Sequence, residues 1–313
     1  MKSYFKARLT RSISITLLLF SGVFVLPRAL PQVQAIRSER SDRPVVRKFV
    51  FGDVTVETVI RGSGETIVLI PGRGLSVDSF SELARLLGKA GYRTIAINPR
   101  GIEGSAGPLE KLTLKDYAGD VAAVVQALNI ARVHVLGHAY GNRVARTLAV
   151  ERPDLVQSVI LLAAGGRVGA KPEAIKASEK LDSGNLTREE KIEATRVIYF
   201  ASKSDPTPWV DLKAWTAASQ AQLEALRATP SKTWWSGGTA PMLVVQGLED
   251  KIAPPENGRA LRDEFGKRVT LVELPNAGHA LVIEQPKAIA KAIHDFLKTQ
   301  RQKRTAATPG ARP

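Results

Sequence analysis

The sequence predicts an α/β fold, with a mostly parallel central sheet, helices on both faces and an inserted helical cap. Three observations predict it. Short apolar runs alternate with helical patterns along most of the chain, the order that builds βαβ units. One of those runs passes straight into a helix through Gly137-His138-Ala139-Tyr140-Gly141. The alternation breaks between about residues 167 and 238, where only helical patterns continue.

Each element has its own signal. Residues 48–51 and 54–60 read as a hairpin with Gly52-Asp53 at the turn. Thr66-Ile67-Val68-Leu69-Ile70 is a short apolar run stopped by Pro71-Gly72, as a buried strand would be. Residues 80–90 carry Leu83, Leu86 and Leu87 at helical spacing, and residues 94–97 form the next strand. Thr113 is placed to cap a helix whose apolar stripe is Tyr117, Val121, Val124, Val125 and Leu128. A strand at 133–136, a helix at 142–150 and a strand at 159–162 follow, the last ending in Gly165-Gly166. All four tryptophans, Trp209, Trp215, Trp234 and Trp235, fall in the helical interruption. Beyond it come a strand at 242–246, a helix at 256–265, a strand at 269–274 and a final helix from Pro286.

With 313 residues and 44% hydrophobic content, the chain can build one large core. Its first 35 residues read as a secretory signal. Lys2, Lys6, Arg8 and Arg11 precede an apolar stretch at 13–26, and Val33-Gln34-Ala35 offers small residues for cleavage. The apolar stretch is shorter than the roughly 20 residues that a spanning helix needs, so no stable membrane anchor is expected after cleavage. The expected destination is a bacterial periplasm or the exterior. The absence of cysteine excludes disulfides and thiol chemistry. The formal charge of +15 is concentrated at the ends. Five bases and no acids lie in residues 1–35, and five more bases without acids lie from Lys298 onward. No basic-aromatic interleaving points to nucleic acid. The expected organisation is a signal peptide at 1–35, a flexible arm at 36–46, the core at 47–166 and 239–299, the cap at 167–238, and a basic disordered tail at 300–313.

The chemistry centres on the strand that enters Gly137-His138-Ala139-Tyr140-Gly141. A strand-to-helix turn with glycine at both ends is the layout of a nucleophile elbow, which projects its central side chain from a strained turn. Asp250 follows the strand at 242–246, and His279 follows the strand at 269–274. Loops at the carboxyl ends of such strands converge on a site, and this fold places its acid before its base, both after the nucleophile.

From the strand at 66–70 to the final helix the sequence resembles the α/β-hydrolase superfamily, which includes esterases, lactonases and C–C bond hydrolases. The resemblance implies Asp250 as triad acid, His279 as general base, and an oxyanion hole from the backbone N–H groups of Arg73 and Tyr140. The sequence departs from the pattern twice. Pro71 stands where a histidine is usual, and Ala139 stands where Ser, Cys or Asp would attack. A methyl group cannot form a covalent intermediate. Losing the nucleophile of a serine hydrolase costs about 10⁶ in rate and leaves about 10³ over water.

No neighbouring group is an obvious replacement. Tyr140 is expected to point away from the site, Ser105 lies on another loop, and His138 is expected to pack behind the elbow. His134 and His294 read as structural or surface residues. No His-Glu-x-x-His arrangement suggests a metal, and no cofactor is expected. Two functions remain open. One is a hydrolase of a small apolar ester, lactone or related carbonyl compound, with His279 and Asp250 activating water. The other is an inactive protein binding a small apolar ligand beneath the cap. In either case the tryptophans at 209, 215, 234 and 235 are expected to line the ligand site.

Overall fold

Eight strands form one sheet in the order β1-β2-β4-β3-β5-β6-β7-β8. The computed structural model describes residues 43–210 and 215–307; the expected signal and residues 36–42 of the arm lie outside them. The strands are β1 (Val45–Phe51), β2 (Val54–Arg61), β3 (Thr66–Ile70), β4 (Arg93–Ile97), β5 (Val133–His138), β6 (Val156–Leu162), β7 (Met242–Gly247) and β8 (Val269–Leu274). β1 and β2 pair antiparallel, as do β2 and β4, and every other pairing is parallel.

Burial follows from this layout. All residues of β3, β5 and β7 are buried, as expected of parallel strands covered on both faces. β2 instead alternates buried and half-buried positions, because its side chains point to opposite sides in turn. The same two-residue period divides the core. Val68, Val135, Leu161 and Val244 pack on one face with α2 (Leu114–Ala127), α3 (Tyr140–Glu151) and α8 (Glu256–Phe265). Ile67, Leu69, Leu136, Ile160 and Val245 pack on the other with α1 (Ser81–Lys89), α9 (Leu281–Glu284) and α10 (Pro286–Ala307). Helix α2 starts where Thr113 and Asp116 form a reciprocal capping box, which satisfies two first-turn donors.

Among the described residues between 167 and 238 there is no strand. Helices α4 (Pro172–Asp182), α5 (Arg188–Tyr199), α6 (Thr207–Val210) and α7 (Thr216–Ala228) occupy the span, and a second capping box at Thr187 and Glu190 opens α5. Two expected boundaries move. The first strand begins at Val45, inside the expected arm, because residues 45–47 pair with residues 58–60. The final helix runs to Ala307, so residues 300–307 are not a disordered tail. Arg301 and Arg304 both pair with Glu65, at 2.9 Å each, which gives this basic stretch a partner on the domain. No described helix is long and apolar enough to cross a membrane.

Candidate active site at the carboxyl edge of the sheet

The carboxyl ends of β3, β5, β7 and β8 deliver Arg73, Ala139, Asp250 and His279 respectively. At the end of β5, Ala139 takes φ 49° and ψ −107°. An L-residue rarely adopts this conformation, and holding one there costs of order 1–3 kcal/mol. The glycines on either side make the turn possible. A Cβ at Gly137 would collide with the carbonyl of Gly141, and one at Gly141 would collide with the carbonyl of Ile70. Elbow strain is therefore present although the side chain that would use it is a methyl group. Tyr140 is the first residue of α3, whose first-turn amides have no acceptor within the helix.

Asp250 is fully buried, and its Oδ1 accepts from the N–H groups of Ile252 (2.9 Å) and Ala253 (2.7 Å). Its Oδ2 lies 2.9 Å from Nδ1 of His279. Ionised Asp250 is acceptor-only, so Nδ1 carries the proton, and the lone pair of neutral His279 is left on Nε2. The His279 loop is fixed from three directions. Its carbonyl accepts from His138 Nε2 (2.8 Å), Ala280 N–H donates to the carbonyl of Tyr199 (2.7 Å), and Gly278 N–H donates to Glu284 (2.7 Å). His138 thus ties the elbow strand to the base loop, and it lines the cavity over the turn next to the His279 ring, at 5.4 Å, instead of standing only behind the elbow. Burial pushes its pKa down to about 3, which keeps the ring neutral.

A cavity of about 260 Å³ opens over the turn, lined by Arg73, Ala139, Tyr140, Arg143, Trp209 and His279 among others. Its apolar wall comes from the cap through Trp209, Leu223 and Leu226, with Ile252 opposite. Tyr199 stacks on Trp209 at 5.5 Å and approaches the His279 ring at 6.1 Å, which joins the cap to the base.

The four tryptophans do not share one place. Trp209 lines the cavity. Trp234 and Trp235 are buried and both lie against the guanidinium of Arg146, at 4.5 and 5.0 Å from the ring centroids. They fill the space under α3 rather than the cavity, because their indoles cover a buried cation. Trp215 precedes α7 and is not among the cavity's lining residues.

Ser105 and Tyr140, the two hydroxyl groups weighed from the sequence, are engaged structurally, while Ser178 of the cap lines the cavity. The Ser105 hydroxyl donates to the Asn98 carbonyl (2.7 Å) and accepts from Glu57 N–H (2.8 Å). The Tyr140 ring packs edge-on against Tyr117, and burial pushes its hydroxyl pKa far up. His134 bonds Ser158 within the sheet (2.8 Å), and His294 contacts Tyr92.

Sequence reasoning overlooked Arg143, Tyr199, Leu223 and Leu226. Arg143 had a readable signal. It lies four residues after Ala139, and helical side chains lean toward the preceding turn, so its Nη1 reaches the Ala139 carbonyl at 3.0 Å.

Comparison with known proteins agrees with this architecture. The model of the alpha/beta hydrolase family matches residues 67–292, and the chain belongs to that family. It is 30% identical over 250 residues, 75% of this chain and 94% of the relative, to a Mycobacterium tuberculosis protein provisionally named non-heme bromoperoxidase BpoC. The crystal structure under that name matches with a TM-score of 0.68 at 27% identity, covering 78% of this chain and 96% of the other. Another relative is the 2-hydroxy-6-oxo-6-(2'-aminophenyl)hexa-2,4-dienoic acid hydrolase of Metapseudomonas resinovorans, 24% identical over 276 residues, 83% of this chain and 93% of that one.

Proposed function

We propose that the protein hydrolyses a small ester, lactone or related carbonyl compound, with His279 and Asp250 as a general-base pair and without a covalent enzyme intermediate. The observation that carries this reading is the His279–Asp250 contact at 2.9 Å, which leaves the Nε2 lone pair for the cavity beside a methyl-bearing elbow. Nε2 takes a proton from a water molecule as the water oxygen bonds to the substrate carbonyl carbon. The backbone N–H groups of Arg73 and Tyr140 receive the oxyanion, where donors aimed at developing charge contribute most. Collapse breaks the bond to the leaving alkoxide, and the imidazolium returns the proton to it.

The cavity volume supports a small substrate, since pockets for drug-sized ligands begin at about 300 Å³. Hydrolases among the relatives support the reaction class. Export to a periplasm or the exterior belongs to the same proposal and rests on the sequence of residues 1–35.

The test is turnover of a panel of short-chain 4-nitrophenyl esters by the protein and by His279→Ala. Loss of a positioned general base is expected to lower the rate about 10²- to 10⁴-fold. Equal rates above background would remove His279 from the chemistry, and no turnover by either protein would leave a ligand-binding protein as the reading.

A further inference from the structure

The cavity carries a charge that the proposed reaction does not use. Arg143 lines it one helical turn after Ala139, and Arg73 lines it from the loop after β3. Arg143 has no ion-pair partner among the described residues; its hydrogen bond goes to the Ala139 carbonyl at 3.0 Å. Arg73 bonds Ser219 on α7 at 3.1 Å, a neutral hydroxyl. Behind Arg143 the guanidinium of Arg146 is fully buried and held by Asn142 Oδ1 and the Gly165 carbonyl, at 2.7 Å each. The three guanidinium groups act on one another. Arg73 lowers the pKa of Arg143, and Arg143 lowers that of Arg146, each in addition to burial.

Like charges placed this close raise each other's cost, and buried cations are ordinarily paired. Asp250 is the acid at the site, and its oxygens are already taken by His279, Ile252 and Ala253. The amino end of the twelve-residue α3 adds a partial positive charge at the same place. One guanidinium nitrogen of Arg143 is used by the elbow carbonyl, and four further N–H donors of the fork remain for a planar anion.

We infer that the substrate carries a carboxylate, held in the cavity by Arg143 with Arg73 closing over it from the rim. This rests on the cavity being the substrate site, as proposed above, and it sets the substrate's polarity. An apolar segment lies against Trp209, Leu223 and Leu226, and an acidic end lies on the elbow side. The carboxylate forms no covalent bond. It anchors the molecule so that a carbonyl a short chain away meets His279 and the two backbone amides. Arg143 is then a substrate-positioning residue whose bond to the Ala139 carbonyl couples anion binding to the elbow itself.

The test is calorimetric titration of the full-length protein with 4-oxopentanoate and 6-oxoheptanoate, each compared with the neutral alcohol of the same chain, 5-hydroxypentan-2-one or 7-hydroxyheptan-2-one, which has no bond for the proposed reaction to hydrolyse. The same titrations are run on Arg143→Met, Arg143→Lys, Arg73→Met and His279→Ala. The wild type is expected to bind at least one acid about 10- to 100-fold more tightly than its alcohol, the range for hydrogen bonds to charged groups. Arg143→Met is expected to lose that preference, Arg143→Lys to restore part of it, and Arg73→Met to reduce it. Equal affinity for acid and alcohol in the wild type overturns the inference, and that result needs no variant to fold. No binding of either acid overturns it too, as does an acid preference that survives in Arg143→Met. His279→Ala is expected to keep the preference, so failure of the catalytic reading and failure of the anion site give different results.

Discussion

The conformation of Ala139 makes a quantitative prediction. At φ 49° and ψ −107° its methyl group is strained by about 2 kcal/mol, the middle of the range for such residues. Glycine reaches this region freely. Replacing Ala139 by glycine therefore releases most of that strain. Two effects oppose the gain. Glycine adds unfolded-chain entropy, about 0.4–1 kcal/mol. Removing the methyl also gives up at most about 0.8 kcal/mol of burial, and less here because the methyl faces the cavity. The expected net change for Ala139→Gly is a stabilisation of about 1 kcal/mol, or about 2 °C in Tm. Urea unfolding followed by tryptophan fluorescence measures it, with an unchanged m-value as the check on compactness. Gly141→Ala is the opposed control. Its new Cβ would meet the carbonyls of Ile70 and Pro71, and clashes of this kind cost about 1–3 kcal/mol or more. A loss of stability in Ala139→Gly would refute the reasoning, because the turn would then not be holding its alanine in strain.

Two further predictions concern protons. Asp250→Asn can keep its Oδ1 bonds to Ile252 and Ala253 while its amide N–H faces Nδ1 of His279. The imidazole proton then moves to Nε2, and turnover is expected to fall about 10⁴-fold, as in a triad with the wrong tautomer; imidazole ¹⁵N shifts report the tautomer directly. His134 and His138 are held below their ordinary pKa of 6.5 by burial, at about 4 and about 3. Between 6.5 and those values the unfolded chain binds more protons than the folded one, so stability falls as pH drops through that window. Each imidazole contributes up to about 1.4 kcal/mol per pH unit. His134→Phe removes one of the two, and its urea midpoint is expected to drop less steeply between pH 6.5 and 4.5 than that of the parent. An equal slope would show that His134 does not titrate with unfolding.

Much of this architecture is legible in the sequence because local and tertiary constraints coincide there. The runs at 67–70 and 242–245 are apolar throughout, and 133–136 is apolar apart from His134, since both faces of those strands are covered. The glycines at 137 and 141 announce the turn since no Cβ fits at either place. Asp250 and His279 follow strands whose carboxyl ends share one edge, so their order along the chain translates into a contact. What escaped reading depends on three-dimensional neighbours. Nothing local separates Trp209, which reaches the cavity, from Trp234 and Trp235, which close over Arg146. In the sequence nothing marks Arg143 off from other charged helix residues, and only the absence of an opposing carboxylate among the described residues sets it apart. Residues 300–307 read as a loose basic tail, yet Glu65 lies 235 or more positions earlier and pairs with two of their arginines.

The claim that reaction needs His279 and Asp250 but no residue-139 nucleophile is tested most directly by comparing the protein with Ala139→Ser. Both are assayed on the same 4-nitrophenyl esters before and after treatment with a fluorophosphonate probe. A base-only mechanism predicts turnover by both proteins, covalent labelling of the serine variant alone, and loss of activity on labelling in that variant alone. Turnover confined to Ala139→Ser would contradict it, and would mean that the elbow, the acid and the base form a scaffold whose chemistry ended with the missing hydroxyl.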